Sequence, residues 1–339
     1  MAAIMVALMT VVIVAFAAYA VDAGVLFQEK RELQVGAEAA ALAIAQDCAG
    51  GNCGTFNGTA ETYADANATD DEARVISVTF PQANQVRVDV GSRNGGEDRD
   101  GDPNTVDTFF APVIGVNGVD VRASAVAEWG PVGSARTLPL IFGLCEWNQA
   151  VGSTTLPVDP SVFPTAIVPI VFHFGNGPDG PSECAFNAGQ DIDPDETRLP
   201  GGFGWLEQTN CQTEILAGNW LKAKTGAGAP GSCDPAGLGL VVGNVVTIPI
   251  FDQIVKGGDI PECSSGGFCY HIFAFAGLEI TGFRLPGGQE WRQGNYSVCD
   301  ALGPGNSTTC LVGRFTDVFE PGAITGGPNL GALTISLVG

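Results

Sequence analysis

Residues 1–45 read MAAIMVALMTVVIVAFAAYAVDAGVLFQEKRELQVGAEAAALAIA, and the rest of the chain is organised around them. Met1 to Val21 carry no charge and almost no polar side chain. As a helix rising 1.5 Å per residue, that run is about long enough to cross a ~30 Å hydrocarbon layer. It does not end in a turn. It passes through Asp22-Ala23-Gly24 into a second half in which Leu26, Leu33, Ala37, Ala40, Ala41 and Ile44 fall on one helix face. The spacing predicts one continuous helix from Met1 to Ala45, apolar all round at first and wet on one side later.

Three readings of this rod stay open. A cleaved secretory signal normally has a basic n-region and a shorter core, and no Lys or Arg precedes Lys30, although Ala18-Tyr19-Ala20 offers a small-residue cleavage pattern. A lone membrane anchor is the second reading. The third is a helix that leaves the bilayer and packs against copies of itself. Small residues at Ala2, Ala3, Ala7, Ala15, Ala17, Ala18, Ala20, Ala23 and Gly24 would permit that close approach. The missing basic leader points to Met1 as a processed end.

The apolar run, the Asp-x-Gly at Asp22 and Gly24, the Leu33-Gln34 pair and the stretch Glu38 to Ala43 together resemble the N-terminal module of TadE/TadG-like pilus-assembly proteins of tight-adherence (Flp) systems. Leu138–Ala150, Gly201–Leu206 and Val246–Asp252 are similar to stretches of larger actinobacterial relatives. The resemblance implies a membrane-inserted, pilin-like structural protein. Its partners would be copies of itself in a helical filament, the inner membrane before assembly, and the secretion and assembly machinery. Its final location would be an extracellular pilus on the cell surface, with an adhesive role. The alternative is a membrane-anchored monomeric envelope binding protein or assembly protein. Met1, Met5, Asp22 and Gly24 are the candidate assembly residues. Type IV pilins usually carry Glu at the fifth mature position to pair with a neighbour's terminal ammonium; this chain has Met5 there.

Composition bounds the remainder. The 339 residues allow an anchor and about two domains. The 45% hydrophobic content can fill cores, and 47 Gly with 21 Pro point to a turn-rich β ectodomain. A formal net charge of −22 argues against nucleic acid as a partner, because phosphate neutralisation needs clustered Lys and Arg. The expected fold is α+β. A hydrophobic helix (1–47) leads into a small pilin-like sheet domain (48–131) and then a disulfide-rich, mostly β sandwich or barrel (132–339), with a linker at Gly133-Ser134-Ala135.

The ten cysteines, Cys48, Cys53, Cys145, Cys184, Cys211, Cys233, Cys263, Cys269, Cys299 and Cys310, are even in number and read as disulfides outside the cytoplasm. Sequence does not fix their connectivity. Short-range closure gives 48–53, 211–233, 263–269 and 299–310, leaving 145–184. In the smaller domain, Glu61–Asn67 reads as a helical turn or short helix, Arg74–Phe80 and Gln85–Val90 as a hairpin, and Thr108–Ile114 as a short helix around Pro112. Val121, Ala123, Ala125, Ala127 and Trp129 alternate on one strand face. Short apolar runs at 138–144, 166–174, 239–251, 270–283 and 333–338 mark the larger domain.

Chemistry-bearing motifs are few. Side-chain oxygens at Asp98, Asp100, Asp102, Asn104 and Asp107 either converge on one calcium ion or form a solvated acidic turn, without EF-hand spacing. Asp191–Glu196 is a weaker candidate of the same kind. No cofactor is required. No nucleophile elbow, zinc-protease motif or phosphate loop is present, and His173 and His271 sit in apolar strand-like runs, so the chain reads as a non-enzyme. Asn57, Asn67, Asn295 and Asn306 lie in glycosylation sequons.

Overall fold

The structure is a computed structural model. It describes residues 2–69, 73–93, 103–152, 163, 167–171, 205–207, 210–222, 233–256, 258, 261–263, 268–285, 289–293, 296–297, 310–320 and 323–338. The fold is α+β, a long apolar helix followed by mostly strand. The chain divides into two compact units, Met1–Trp129 with Ile335–Gly339, and Gly130–Thr334.

The first unit is built on helix α1, Ala2–Ala49. At 48 residues it is about 72 Å long. Leu33, Ala37, Ala40, Ala41, Ile44, Ala45 and Cys48 repeat at helical spacing, and all are buried. They meet two surfaces. One is helix α2, Phe56–Asp65, through Ala60 and Ala64. The other is a sheet face carrying Val86, Val88 and Val90 from the strand Gln85–Ser92, and Ala123, Ala125 and Ala127 from the strand Arg122–Thr137. The strand Ala73–Gln82 completes this antiparallel face, with Val78 opposite Val88 and Val88 opposite Ala125. Alternation of apolar and polar residues along each strand is what presents one buried face.

The small side chains set the spacing. A Cβ on Gly36 would lie 3.3 Å from the Cα and the carbonyl oxygen of Ala64, so α1 and α2 approach at backbone distance there. Polar residues on α1 then tie its flanks. Lys30 Nζ donates to the Arg122 carbonyl, Gln34 Nε2 donates to the Ser124 carbonyl at 3.3 Å, and Glu32 accepts from the Thr69 amide (3.0 Å) and hydroxyl (2.6 Å). The Cys48–Cys53 disulfide closes the chain back onto the end of α1.

The second unit centres on the strand Phe268–Arg284, flanked antiparallel by Val245–Lys256 on one side and Cys310–Thr316 on the other. Both faces of this sheet are covered. Ala274, Ala276, Leu278 and Ile280 point to one core with Ile248, Ile250, Trp147 and Phe315. Tyr270, Ile272 and Phe275 point to another, with Val132, Ala135, Leu206 and Ile215. Of the aromatics on this strand, Tyr270, Phe275 and Phe283 are buried and Phe273 packs at the edge of the core.

Two expectations need correction. Gly133-Ser134-Ala135 is not a linker but part of the strand Arg122–Thr137, with Ser134 opposite Leu216 and Ala135 opposite Ile215. Ala135 is buried, and Ser134 is paired on both sides, since it also faces Ile324. The apolar run at 138–144, read as part of a mostly β domain, holds only a two-residue strand, Phe142–Gly143, and runs into the helix Leu144–Val151. Trp147 anchors that helix, fully buried with its ring 6.2 Å from Phe315, and left-handed Gly152 (φ 67°) ends it.

Three of the expected disulfides are present: Cys48–Cys53, Cys211–Cys233 and Cys263–Cys269. Cys310 is also disulfide-bonded. Cys184 and Cys299 lie outside the described residues, and with them the 145–184 and 299–310 pairings.

Ile44→Ala removes a fully buried side chain from between α1 and the sheet and is expected to cost about 2–5 kcal/mol, read as a lower denaturant midpoint. Burial opposes ionisation of Asp89, but hydrogen bonds from Arg87 Nε (3.0 Å) and Ser77 Oγ (2.8 Å) outweigh it and hold the carboxyl below its usual value. The Arg122 guanidinium does the same for Asp120. Depressed folded-state values give stability that is complete above the unfolded value of about 3.9 and is lost as pH falls through the lower folded values. Thermal melts should therefore drop below about pH 4, less so in Ser77→Ala and Arg122→Gln variants.

Candidate functional site

The part of the first unit that its own fold leaves unfinished is the N-terminal half of α1. Phe16 is 71% exposed and Tyr19 is 74% exposed, whereas Leu33 and Ile44 are buried. Met9, Val11, Val12, Ile13 and Val14 are exposed too, so the apolar surface runs round the whole helix. By length and composition α1 can cross a membrane. Met5, a candidate assembly residue, is exposed on this stretch; Met1 lies outside the described residues.

The change from exposed to buried begins at Asp22. This residue is only 7% exposed although it carries a carboxylate. Its oxygens accept three backbone N–H groups in succession: Phe109 at 2.8 Å, Phe110 at 3.1 Å and Ala111 at 2.7 Å. Those amides open the short 3₁₀ turn Ala111–Ile114, whose first donors have no partner within the turn itself. Asp22 thus caps an element 87 residues away in sequence. Burying a carboxylate is costly unless charge-assisted hydrogen bonds replace its water, and three converging amides do so here.

The capped loop is clasped at its base. Val106–Asp107 pairs with Gly118–Val119, and the buried Thr108 hydroxyl donates to the Val116 carbonyl at 2.7 Å. Two residues beyond Asp22, Gly24 is exposed with nothing within 4 Å of a Cβ placed on it, so no contact in the described chain requires glycine there.

The calcium candidates are only partly placed. Asp98, Asp100 and Asp102 lie outside the described residues, as does the acidic run 191–196. The Asn104 carbonyl accepts the Ser92 hydroxyl at 2.8 Å, and Asp107 sits on the short strand just named. Among the described residues no three His, Cys, Asp or Glu side chains group closely enough to hold a metal.

In the second unit, His271 Nδ1 lies 2.6 Å from Asp252 Oδ1, with the Trp220 ring 5.1 Å from the imidazole. The carboxylate fixes the ring's orientation, and His271 lines a shallow pocket with Ala217, Phe273 and Thr325. His173 lies outside the described residues. Sequence reading singled out Asp22 for its Asp-x-Gly spacing but not for this cap. The signal that could have found it is a charged residue at the end of an apolar run, since such a residue needs a partner.

Residues 1–47 match the family model described as a putative Flp pilus-assembly TadE/G-like domain, which agrees with the resemblance read from Asp22, Gly24 and the Ala-rich stretch. The match ends within α1 and does not extend to the sheets. No curated protein and no solved structure matches the chain. Together, the match and the apolar helix point to involvement in Flp/Tad pilus assembly by a membrane-anchored envelope protein.

The cap is directly testable. Asp22→Ala should leave the Ile44 side of the core intact while the Phe109, Phe110 and Ala111 amides lose protection. At about 1.5–3 kcal/mol per charge-assisted bond, their hydrogen exchange should speed up at least tenfold.

Proposed function

We propose that the chain is a structural subunit of a type IV-like Tad pilus or filament. Its N-terminal half-helix is first a membrane anchor and then part of a packed helical core, with the disulfide-braced units outward. The observation that carries this reading is the all-round apolar exposure of α1 above Asp22, set beside the buried one-sided face below it. A helix apolar on every side needs an apolar partner on every side, and sister helices replace lipid without loss of burial.

Gly24 supports the same reading. A glycine inside a helix costs about 1 kcal/mol relative to alanine. An exposed glycine with open space around it is accounted for by a neighbouring helix that approaches closely, as do the exposed small residues Ala15, Ala17 and Ala20. Multivalent display of the outer units then turns weak surface contacts into adhesion. In this proposal the chain is not an enzyme and needs no cofactor; calcium at Asp98, Asp100, Asp102, Asn104 and Asp107 is an accessory ligand of the outer surface. The competing reading is a monomeric anchored binding or assembly protein.

Gly24→Leu separates the two. It fills open space and improves local helix propensity, so the variant should fold and reach the membrane as the wild type does. If the subunit reading holds, wild-type chain is recovered in sheared surface fibres and the variant is largely confined to membranes. Finding the wild-type chain only in membranes, never in fibres, would overturn the proposal.

A further inference from the structure

We propose that the loop Phe109–Val116 is a second membrane contact, seated in the boundary between headgroups and acyl chains beside α1 and held there by Asp22. The proposal rests on α1 being a membrane anchor; it does not depend on filament assembly.

Three independent features of the loop point to lipid. The first is its side chains. Phe110, Val113, Ile114 and Val116 are exposed, Val113 at 90% and Ile114 at 81%, and no residue from Thr108 to Val119 is charged. Single exposed apolar side chains are ordinary, but several adjacent ones on one short turn form a contact surface.

The second is its backbone. In a hydrocarbon environment an unpaired N–H is expensive, which is why irregular backbone is rare there. This loop pairs most of its donors. Asp22 takes the amides of Phe109, Phe110 and Ala111, and Pro112 has none. The Val113 amide donates to the Phe110 carbonyl, Gly115 to Pro112 and Val116 to Ala111. Six of the loop's seven N–H groups are accounted for in this way, which suits a backbone lying at the edge of a bilayer.

The third is its level along the anchor. Asp22 is the first charged residue after an uncharged apolar stretch of α1 that is long enough as a helix to cross the hydrocarbon layer, so it stands at the end of that layer. The loop is fastened to the helix at that level. Tyr19, exposed one turn closer to the N-terminus, lies where amphipathic rings gather at membrane interfaces. The patch is therefore continuous with the membrane-spanning surface, which favours lipid over a soluble partner. Asp22 has a double role here. It satisfies the loop amides, and they in turn take the place of water around a charge that would resist lying at the membrane edge.

The test uses the full chain reconstituted in phosphatidylcholine–phosphatidylglycerol vesicles, with photoreactive benzoylphenylalanine replacing one residue at a time. Position 113 is the probe, position 13 on α1 the membrane-inserted control, and position 324 the exposed control on the second unit; the native side chains at all three are exposed. Lipid adducts are expected at 13 and 113 and not at 324, and Asp22→Ala should abolish the adduct at 113 while sparing the one at 13. Adducts at 13 with none at 113 overturn the loop proposal and leave the anchor reading standing. No lipid adduct at 13 overturns the anchor reading, and the loop proposal with it. Adducts at 113 to a second copy of the chain, rather than to lipid, reassign the patch as a contact between subunits and overturn the proposal.

Discussion

A single helix has to be buried by two different partners. Below Asp22, one face of α1 is covered by its own chain: α2 and a sheet face take up Leu33, Ala37, Ala40, Ala41 and Ile44, while Phe27 on the other side stays exposed. Above it, the described chain covers Met9 to Tyr19 almost nowhere. The remaining arrangement of the first unit follows from where that change falls. The alanines and Gly36 let the lower half lie close to α2 and the sheet, so short side chains still exclude water. The polar residues Lys30, Glu32 and Gln34 rivet the flanks to the Arg122 strand and to Thr69, fixing the helix's rotation about its own axis. Asp22 marks the junction with a charge that is tolerable because three amides converge on it.

The second unit is stabilised by other means. Its sheet is buried on both faces, which suits the near-continuous apolar run Tyr270–Phe283 better than strict alternation would. Disulfides at Cys211–Cys233 and Cys263–Cys269 tie down turn-rich segments, and oxidising surroundings outside the cytoplasm would preserve them. Division of labour follows: the first unit carries the rod and its junction, and the second is a disulfide-braced sheet buried on both faces.

Elements governed by local periodicity were legible in the sequence. The helical spacing of Leu33 to Ile44, the hairpin around Asn84 and the alternation from Val121 to Ala127 all appear in the structure at the positions read, because each pattern repeats within a few residues. Helix 144–151 was missed because Leu138 to Leu144 looks like a strand. Trp147 and Val151, one turn apart and followed by Gly152, held the helical signal. Gly133-Ser134-Ala135 looked like a linker by composition, yet strand pairing on both sides overrode that weak local preference. For the junction, Asp22 and Gly24 stood out by spacing alone. The function of Asp22 depends on amides 87 to 89 positions further on, and no local pattern carries that information.

The divided burial of α1 is tested most directly by removing the upper half. A chain comprising residues 20–339, expressed for export so that its disulfides form, should be soluble without detergent and should keep the amides of residues 33–48 strongly protected from hydrogen exchange. The complete chain should need lipid or detergent to stay dispersed. If the shortened chain instead aggregates or loses protection across 33–48, the lower half depends on the upper for its folding, and the account of one helix completed by two separate partners is wrong.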